Sequence, residues 1–80
     1  MELNLKRLKA ERLASGISQD EMAKLMGWKT RTPYAKRENG YVDIGVNEFV
    51  KITDILGYGL GDLEIFFTHY VPDREQKVLE

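Results

Sequence analysis

Apolar residues recur along most of the chain at spacings that keep them on one side of a helix, and glycines separate the resulting segments. This periodicity is typical of amphipathic helices rather than strands. The first helix is predicted over roughly residues 3–14, closing near Gly16. Its apolar stripe consists of Leu3, Leu5, Leu8 and Leu13.

The second helix has a complete start signal. Ser18 is followed three residues later by Glu21, so the two can form a capping box in which each side chain accepts from the other residue's backbone N–H. Helix two should therefore run from about residue 19 to 26 and stop at Gly27. Its predicted buried residues are Met22, Ala23, Leu25 and Met26.

Pro33 limits where the third helix can begin, because proline lacks an N–H and is tolerated only in the first turn. The helix therefore begins at Thr30 or at Thr32, and both starts agree with the sequence. Asn39 and Gly40 supply its end signal.

Two further helices complete the pattern. Residues 43–45 open a fourth helix that ends at Gly57, and a short fifth helix is predicted over about residues 60–67. The residues of helix four predicted to face inward are Val46, Phe49, Val50, Thr53 and Leu56. The predicted fold class is therefore all-α with five helices.

Length and composition restrict the function further. Eighty residues form one small domain, which we expect over residues 1–68, with a loose tail over 69–80 that contains Pro72. Cys is absent and His69 is the one histidine, so we expect no disulfide framework, metal cluster or His-based catalytic triad. The sequence contains no other constellation typical of a catalytic site, and we expect no cofactor. No apolar run approaches the ~20 residues that span a bilayer, so no membrane partner is expected and the predicted localisation is cytoplasmic.

The formal net charge is -1, but charge is unevenly distributed along the chain. Nine of the 12 basic residues lie within residues 1–41, whereas eight of the 13 acidic residues lie within residues 42–80. Such polarity is compatible with one face directed at phosphates and another turned away from them. An ordinary solvated surface would also fit, so charge is supporting evidence only.

Several short signals occur in a fixed order over residues 5–63. They are Gly16-Ile17-Ser18-Gln19 before helix two, Ala23 and Leu25 within it, Gly27 at the turn, Glu38-Asn39-Gly40 after helix three and Leu56-Gly57 after helix four. This ordered set resembles the Cro/CI-type helix-turn-helix family of phage repressors and bacterial transcription regulators. The resemblance implies a compact, lambda-repressor-like DNA-binding domain whose helix-turn-helix comprises helices two and three.

Carried over to this sequence, the resemblance implies that helix three enters the DNA major groove. Thr30 would be the phosphate-facing cap of that helix, and Arg31, Thr32 and Lys36 would contact bases. Arg and Lys donate to guanine O6 and N7, and the Thr methyl suits the thymine methyl. The positions that usually hold phosphates are Gln19, Asn39 and the backbone at Gly40.

Other side chains have more than one expected role. Arg37 occupies a position that is usually apolar in the family, and contact with the groove, contact with a phosphate and packing over the core all remain open. Trp28 is expected to cover the junction of helices two and three. Arg12 and Glu38 resemble an internal ion pair of the family that ties helix one to the end of helix three.

The expected function is a sequence-specific, double-stranded DNA-binding transcriptional regulator, a repressor that binds a palindromic operator as a homodimer. The alternatives are an antitoxin that autoregulates its operon and binds a toxin, and a protein-only interaction module on the same fold. The acidic pI of about 5.8 is compatible with the latter. The candidate dimer surface is Phe66, Phe67, Tyr70 and Val71, and the alternative is that these side chains close the domain's own core.

Overall fold

A computed structural model of the chain describes residues 2–68. The order of elements is β1 (Glu2–Leu3), α1 (Leu5–Ala14), α2 (Gln19–Leu25), α3 (Thr32–Glu38), α4 (Val46–Ile55), a 3₁₀ helix (Leu60–Phe66) and β2 (Phe67–Thr68). The domain is mostly helical with five helices, which confirms the predicted fold class. The predicted tail, with Tyr70 and Val71, lies outside the described residues.

A short antiparallel pair of strands joins the two ends of the described chain. β1 and β2 pair with Leu3 opposite Phe67, which the helical periodicity did not predict. The predicted start of helix one at residue 3 was therefore wrong. α1 begins at Leu5 because the side chain of Asn4 accepts a hydrogen bond from the backbone N–H of Arg7 at 3.1 Å and caps the helix.

The start of α2 is as predicted. The Oγ of Ser18 accepts from the backbone N–H of Glu21 at 3.0 Å, and the Glu21 carboxylate accepts from the Ser18 N–H at 2.9 Å. The capping box therefore satisfies two N–H groups that would have no partner within the helix. α2 ends at Leu25 with Met26 as its half-buried C-cap residue, within one residue of the predicted end.

The core takes side chains from all five helices. Its buried apolar residues are Leu8, Met22, Ala23, Tyr34, Phe49, Ile52 and Phe66. The Phe66 ring packs edge-on against Phe49 and Tyr58, with ring centroids 5.7 and 5.4 Å apart. Phe66 has no solvent-exposed surface, so its prediction as a dimer-interface residue was wrong. The alternative, that Phe66 closes the domain's own core, is the one the structure favours.

Four apolar residues that were predicted inside are exposed. They are Leu13, Leu25, Val46 and Val50, with exposed fractions of 58%, 52%, 80% and 38%. In α1 the buried positions are Leu8 and Arg12, four residues apart, so Leu13 points away from the core. In α4 the inward face is carried by Phe49, Ile52 and Thr53. Phe49 and Thr53 were predicted to face inward in α4, but Ile52 was not. In α1, apolar spacing did not identify the inward face because one of its buried positions is Arg12, whose guanidinium is hydrogen-bonded.

Candidate nucleic-acid interface

α2 and α3 pack against each other and are joined by a turn at residues 26–31. Gly27 has a φ of 96°, a left-handed conformation that glycine adopts without steric cost. Trp28 donates its backbone N–H to the Ala23 carbonyl at 2.9 Å, which folds the turn back onto α2. The half-buried Trp28 side chain packs against the core beside α3, as predicted.

α3 begins at Thr32, and Pro33 is its second residue. Arg31 precedes the helix with a helical backbone conformation, and no side chain accepts a hydrogen bond at this helix start. The prediction that Thr30 caps α3 was therefore wrong, because the chain is still in the turn at that residue. Pro33 makes a side-chain cap less necessary, since proline has no N–H to satisfy.

The outer surface of α3 and its preceding turn carries free positive charge. Lys29, Arg31 and Lys36 are all exposed, and Thr30 and Thr32 are exposed beside them. Thr32 and Lys36 are four residues apart, so they share one face of the helix. Across residues 2–68, none of the three cationic side chains forms an ion pair or a hydrogen bond with another residue. This face can therefore contact an anionic partner without breaking internal bonds.

The inner side of α3 is fixed by a buried carboxylate. Arg12 donates to both oxygens of Glu38, with N···O distances of 2.8 and 3.1 Å, and the Tyr34 hydroxyl donates to the same carboxylate at 2.6 Å. The Arg12 and Glu38 side chains are only 5% and 1% exposed. The internal ion pair predicted from the family resemblance is therefore confirmed, and it ties α1 to the end of α3.

Electrostatics keep this network in one protonation state near neutral pH. Burial raises the pKa of Glu38, but hydrogen bonds from Arg12, Tyr34 and Gln19 outweigh that effect and hold the pKa below its ordinary value. Burial, together with the hydrogen bond to Glu38, raises the pKa of the Tyr34 hydroxyl. Glu38 is therefore an acceptor and Tyr34 a donor. Within the described part of the chain, no buried side-chain nitrogen or oxygen lacks a hydrogen-bond partner.

At two of the predicted phosphate-binding positions, Gln19 and Gly40, a hydrogen-bond donor is already bonded within the domain. Gln19 is half-buried, and its Nε2 donates to Glu38 at 2.9 Å. An amide nitrogen carries two N–H groups, so one remains for a phosphate. The Gly40 backbone was predicted to contact a phosphate. Its N–H instead donates to the Arg37 carbonyl at 3.1 Å and is not free for that contact. The neighbouring Asn39 is exposed at the C-terminal end of α3.

Arg37 lies against α4 rather than on the outer face. Its guanidinium donates to both carboxylate oxygens of Glu48 at 2.8 and 3.2 Å and to the Pro33 carbonyl at 2.8 Å. Its Cζ also lies 4.6 Å from the centroid of the Trp28 ring. Among the three roles left open by the sequence, this geometry favours packing within the domain.

Two side-chain pairs were not predicted from the sequence: Glu48 with Arg37, and Tyr58 with Glu11 on α1. The Glu48 carboxylate accepts from Arg37 and also from the backbone N–H of Gly45 at 3.0 Å, and these bonds lower its pKa. The Tyr58 hydroxyl donates to Glu11 at 2.6 Å. Glu48 follows Gly45 by three residues, which was a local capping signal, whereas the pairing of Tyr58 with Glu11 has no local signature.

A family model described as Helix-turn-helix matches residues 8–63, from within α1 to within the 3₁₀ helix. The chain belongs to the Cro/CI-type helix-turn-helix family. This is a family of DNA-binding regulators rather than of catalytic domains, so the chain is a DNA-binding regulator of the Cro/CI type. No curated protein and no solved structure matches the chain at a significant level.

The described residues add two observations about other kinds of site. No helix within residues 2–68 is long and apolar enough to cross a membrane. Over the same residues, carboxylate side chains do not gather in groups of three or more that could hold a metal ion.

Proposed function

We propose that this Cro/CI-type protein is a sequence-specific transcriptional repressor that reads its operator in the major groove with α3. The observation that carries the proposal is the exposed, unpaired set of Arg31, just before α3, and Thr32 and Lys36 on its outer face, while the inner face of α3 is fixed through Glu38. A helix of this kind, packed on a partner helix, is the reading element of helix-turn-helix proteins.

Base and phosphate contacts divide between the helix and its surroundings. Arg31, Thr32 and Lys36 are the proposed base contacts, because their side chains offer donors for guanine and a methyl group for thymine. The remaining candidates for phosphate contacts are the exposed turn residue Thr30, the second amide N–H of Gln19 and the side chain of Asn39. Phosphate contacts fix the register of the protein on DNA, whereas base contacts select the sequence.

We propose a homodimer as the active form, since helix-turn-helix proteins commonly read two half-sites about one DNA turn apart. Exposed apolar side chains in the described part of the chain favour a protein partner. Val46 is 80% exposed, and it lines an apolar groove with Val50 and Phe67. Of the four residues that the sequence suggested for the dimer surface, Phe67 is the one that lies within residues 2–68 and is partly exposed.

Repression would follow from steric competition with polymerase and requires no cofactor. The site of action would be the cytoplasm, where the operator lies. Because exposed apolar residues also suit a partner of another kind, the antitoxin function is the second candidate. A toxin would bind this chain in addition to DNA, whereas a protein-only module would bind no DNA.

Selection of bound duplexes from a random pool tests the proposal. The expected product is an inverted repeat with half-sites about 10 bp apart, containing at least one guanine in each half-site. The control is the same pool passed over Arg31→Ala/Lys36→Ala protein, which should enrich the repeat less. Absence of any enriched sequence, even at low salt where phosphate contacts are strongest, would contradict the proposed function and favour the protein-only module.

A further inference from the structure

The guanidinium of Arg37 joins three segments that are separate along the chain. Trp28 belongs to the turn before α3, Pro33 to the first turn of α3 and Glu48 to the first turn of α4. The contact with Glu48 uses both carboxylate oxygens, which is the two-pronged geometry that arginine forms best. Arg37 itself belongs to the last turn of α3, so its guanidinium reaches back along the helix and links the Pro33 carbonyl in the first turn to Glu48 on α4.

This arrangement complements the anchor formed by the next residue, Glu38. Glu38 ties the end of α3 to α1 through Arg12, while the start of α3 has no side-chain cap. Within the described residues, the Arg37 contacts are the side-chain hydrogen bonds that hold the first turn of α3 against α4. Arg31 and Thr32 stand at this end of the helix, so its orientation decides where the proposed base-reading groups lie.

We propose that Arg37 is a positioning residue for operator recognition and not a DNA contact. It fixes the orientation of α3 by pairing with Glu48 and stacking on Trp28, and it thereby sets the preference for operator over other sequences. This inference rests on the proposed function. The structural basis is partial burial: the Arg37 and Glu48 side chains are 18% and 31% exposed, so the pair is shielded from full solvation.

The variant Glu48→Gln distinguishes this proposal from the alternative that Arg37 contacts a phosphate. If Glu48 merely restrained a phosphate-binding arginine, Glu48→Gln would release Arg37 and strengthen binding to every sequence. If the pair positions α3, the same change loosens the helix and lowers the preference for the operator. Asp54→Asn is the matched control, because Asp54 is an exposed carboxylate on α4 and its substitution removes the same charge.

The experiment measures affinity for the selected operator and for a scrambled duplex over a range of salt concentrations. Wild type, Arg37→Met, Glu48→Gln, the double variant and Asp54→Asn are compared, with helicity checked by circular dichroism. We expect both single variants to lose at least about fivefold in operator preference, and the double variant to lose no more than either single one, because both remove the same interaction. Asp54→Asn should keep the wild-type preference.

Salt dependence separates the two roles of Arg37. We expect Arg37→Met to leave the slope of log affinity against log salt concentration unchanged on scrambled DNA. A slope shallower by about 0.9, with operator preference retained, would instead identify a lost phosphate contact and overturn the proposal. Stronger binding of Glu48→Gln to both duplexes, beyond that of Asp54→Asn, would overturn it as well.

Trp28 gives a second measurement that needs no DNA. It is the only tryptophan of the chain, so intrinsic fluorescence reports on the ring beneath Arg37. Glu48→Gln keeps the arginine but removes its charged partner, and we expect a shifted Trp28 emission at unchanged helicity. Unchanged emission would show that Glu48 does not orient Arg37 and would overturn the proposal. If wild-type protein showed no operator preference while the shift occurred, the proposed function would fail and the contact would stand as a structural one.

Discussion

Arg12 and Glu38 form a two-pronged ion pair between residues 26 positions apart in the sequence, at N···O distances of 2.8 and 3.1 Å. Arg12 also donates to the Ile17 carbonyl at 2.8 Å, just before α2 begins. One arginine of α1 therefore contacts both the entry to α2 and the end of α3. The two helices of the helix-turn-helix are thus held relative to each other by a buried polar network as well as by the apolar core.

We predict that Glu38→Ala lowers the free energy of unfolding by about 3–5 kcal/mol, because it leaves Arg12 buried without its partner. Tyr34 and Gln19 lose their acceptor at the same time. Urea unfolding followed by circular dichroism measures the change. The control Asp54→Ala removes an exposed carboxylate and should shift stability by no more than about 0.5 kcal/mol. Equal unfolding midpoints for Glu38→Ala and wild type would contradict the prediction.

The lowered pKa of Glu38 also predicts the direction of acid unfolding. In the unfolded chain a glutamate titrates near pH 4.3, whereas the folded pKa of Glu38 is below its ordinary value. The unfolded state therefore binds more protons on acidification, and the stabilising contribution of Glu38, present above about pH 4.3, is lost as pH falls through the folded pKa.

Denaturant unfolding at a series of pH values tests this dependence. We expect the slope of stability against pH in the acid range to be shallower in Glu38→Gln than in wild type. Glu48 and Glu11 also have lowered pKa values, so part of the slope should persist in that variant. Identical slopes in the two proteins would show that Glu38 does not contribute to acid sensitivity.

Phe66→Ala should unfold the domain rather than dissociate a dimer. The ring is fully buried between Phe49 and Tyr58, and removal of a buried phenylalanine costs about 3–5 kcal/mol. Leu60→Ala is the matched control in the same 3₁₀ helix, because Leu60 is 76% exposed. Thermal unfolding and sedimentation together decide the outcome. A stably folded monomer of Phe66→Ala would restore Phe66 as an interface residue.

Local signals in the sequence predicted the elements that depend on neighbouring residues. The capping box of Ser18 and Glu21, the turn at Gly27 and the restriction set by Pro33 all act within a few residues, and the corresponding helices are present. The strand pairing of Leu3 with Phe67 was missed because it joins opposite ends of the domain and involves only two residues on each strand.

Side-chain roles were predictable only where the partner could be inferred. Resemblance to the family supplied the pairing of Arg12 with Glu38, but nothing local linked Arg37 to Glu48, eleven residues away. The sequence therefore left Arg37 with three open roles. The family resemblance implied Thr30 as the cap of helix three, and Pro33 could not correct this because it allowed a start at Thr30 as well as at Thr32; the structure begins α3 at Thr32.

We propose that the outer face of α3 and the preceding Arg31 read the operator, and parallel titrations of Arg31→Ala and Lys36→Ala test this assignment most directly. Each variant is titrated with the selected operator and with a scrambled duplex at one salt concentration. Lys51→Ala, an exposed lysine on α4, is the charge-matched control. We predict that Arg31→Ala loses about 1–3 kcal/mol of discrimination, as for a bidentate base contact, that Lys36→Ala loses a smaller amount, and that Lys51→Ala loses none. Unchanged discrimination in both α3 variants, with affinity for the two duplexes reduced equally, would contradict the assignment of α3 as the reading helix.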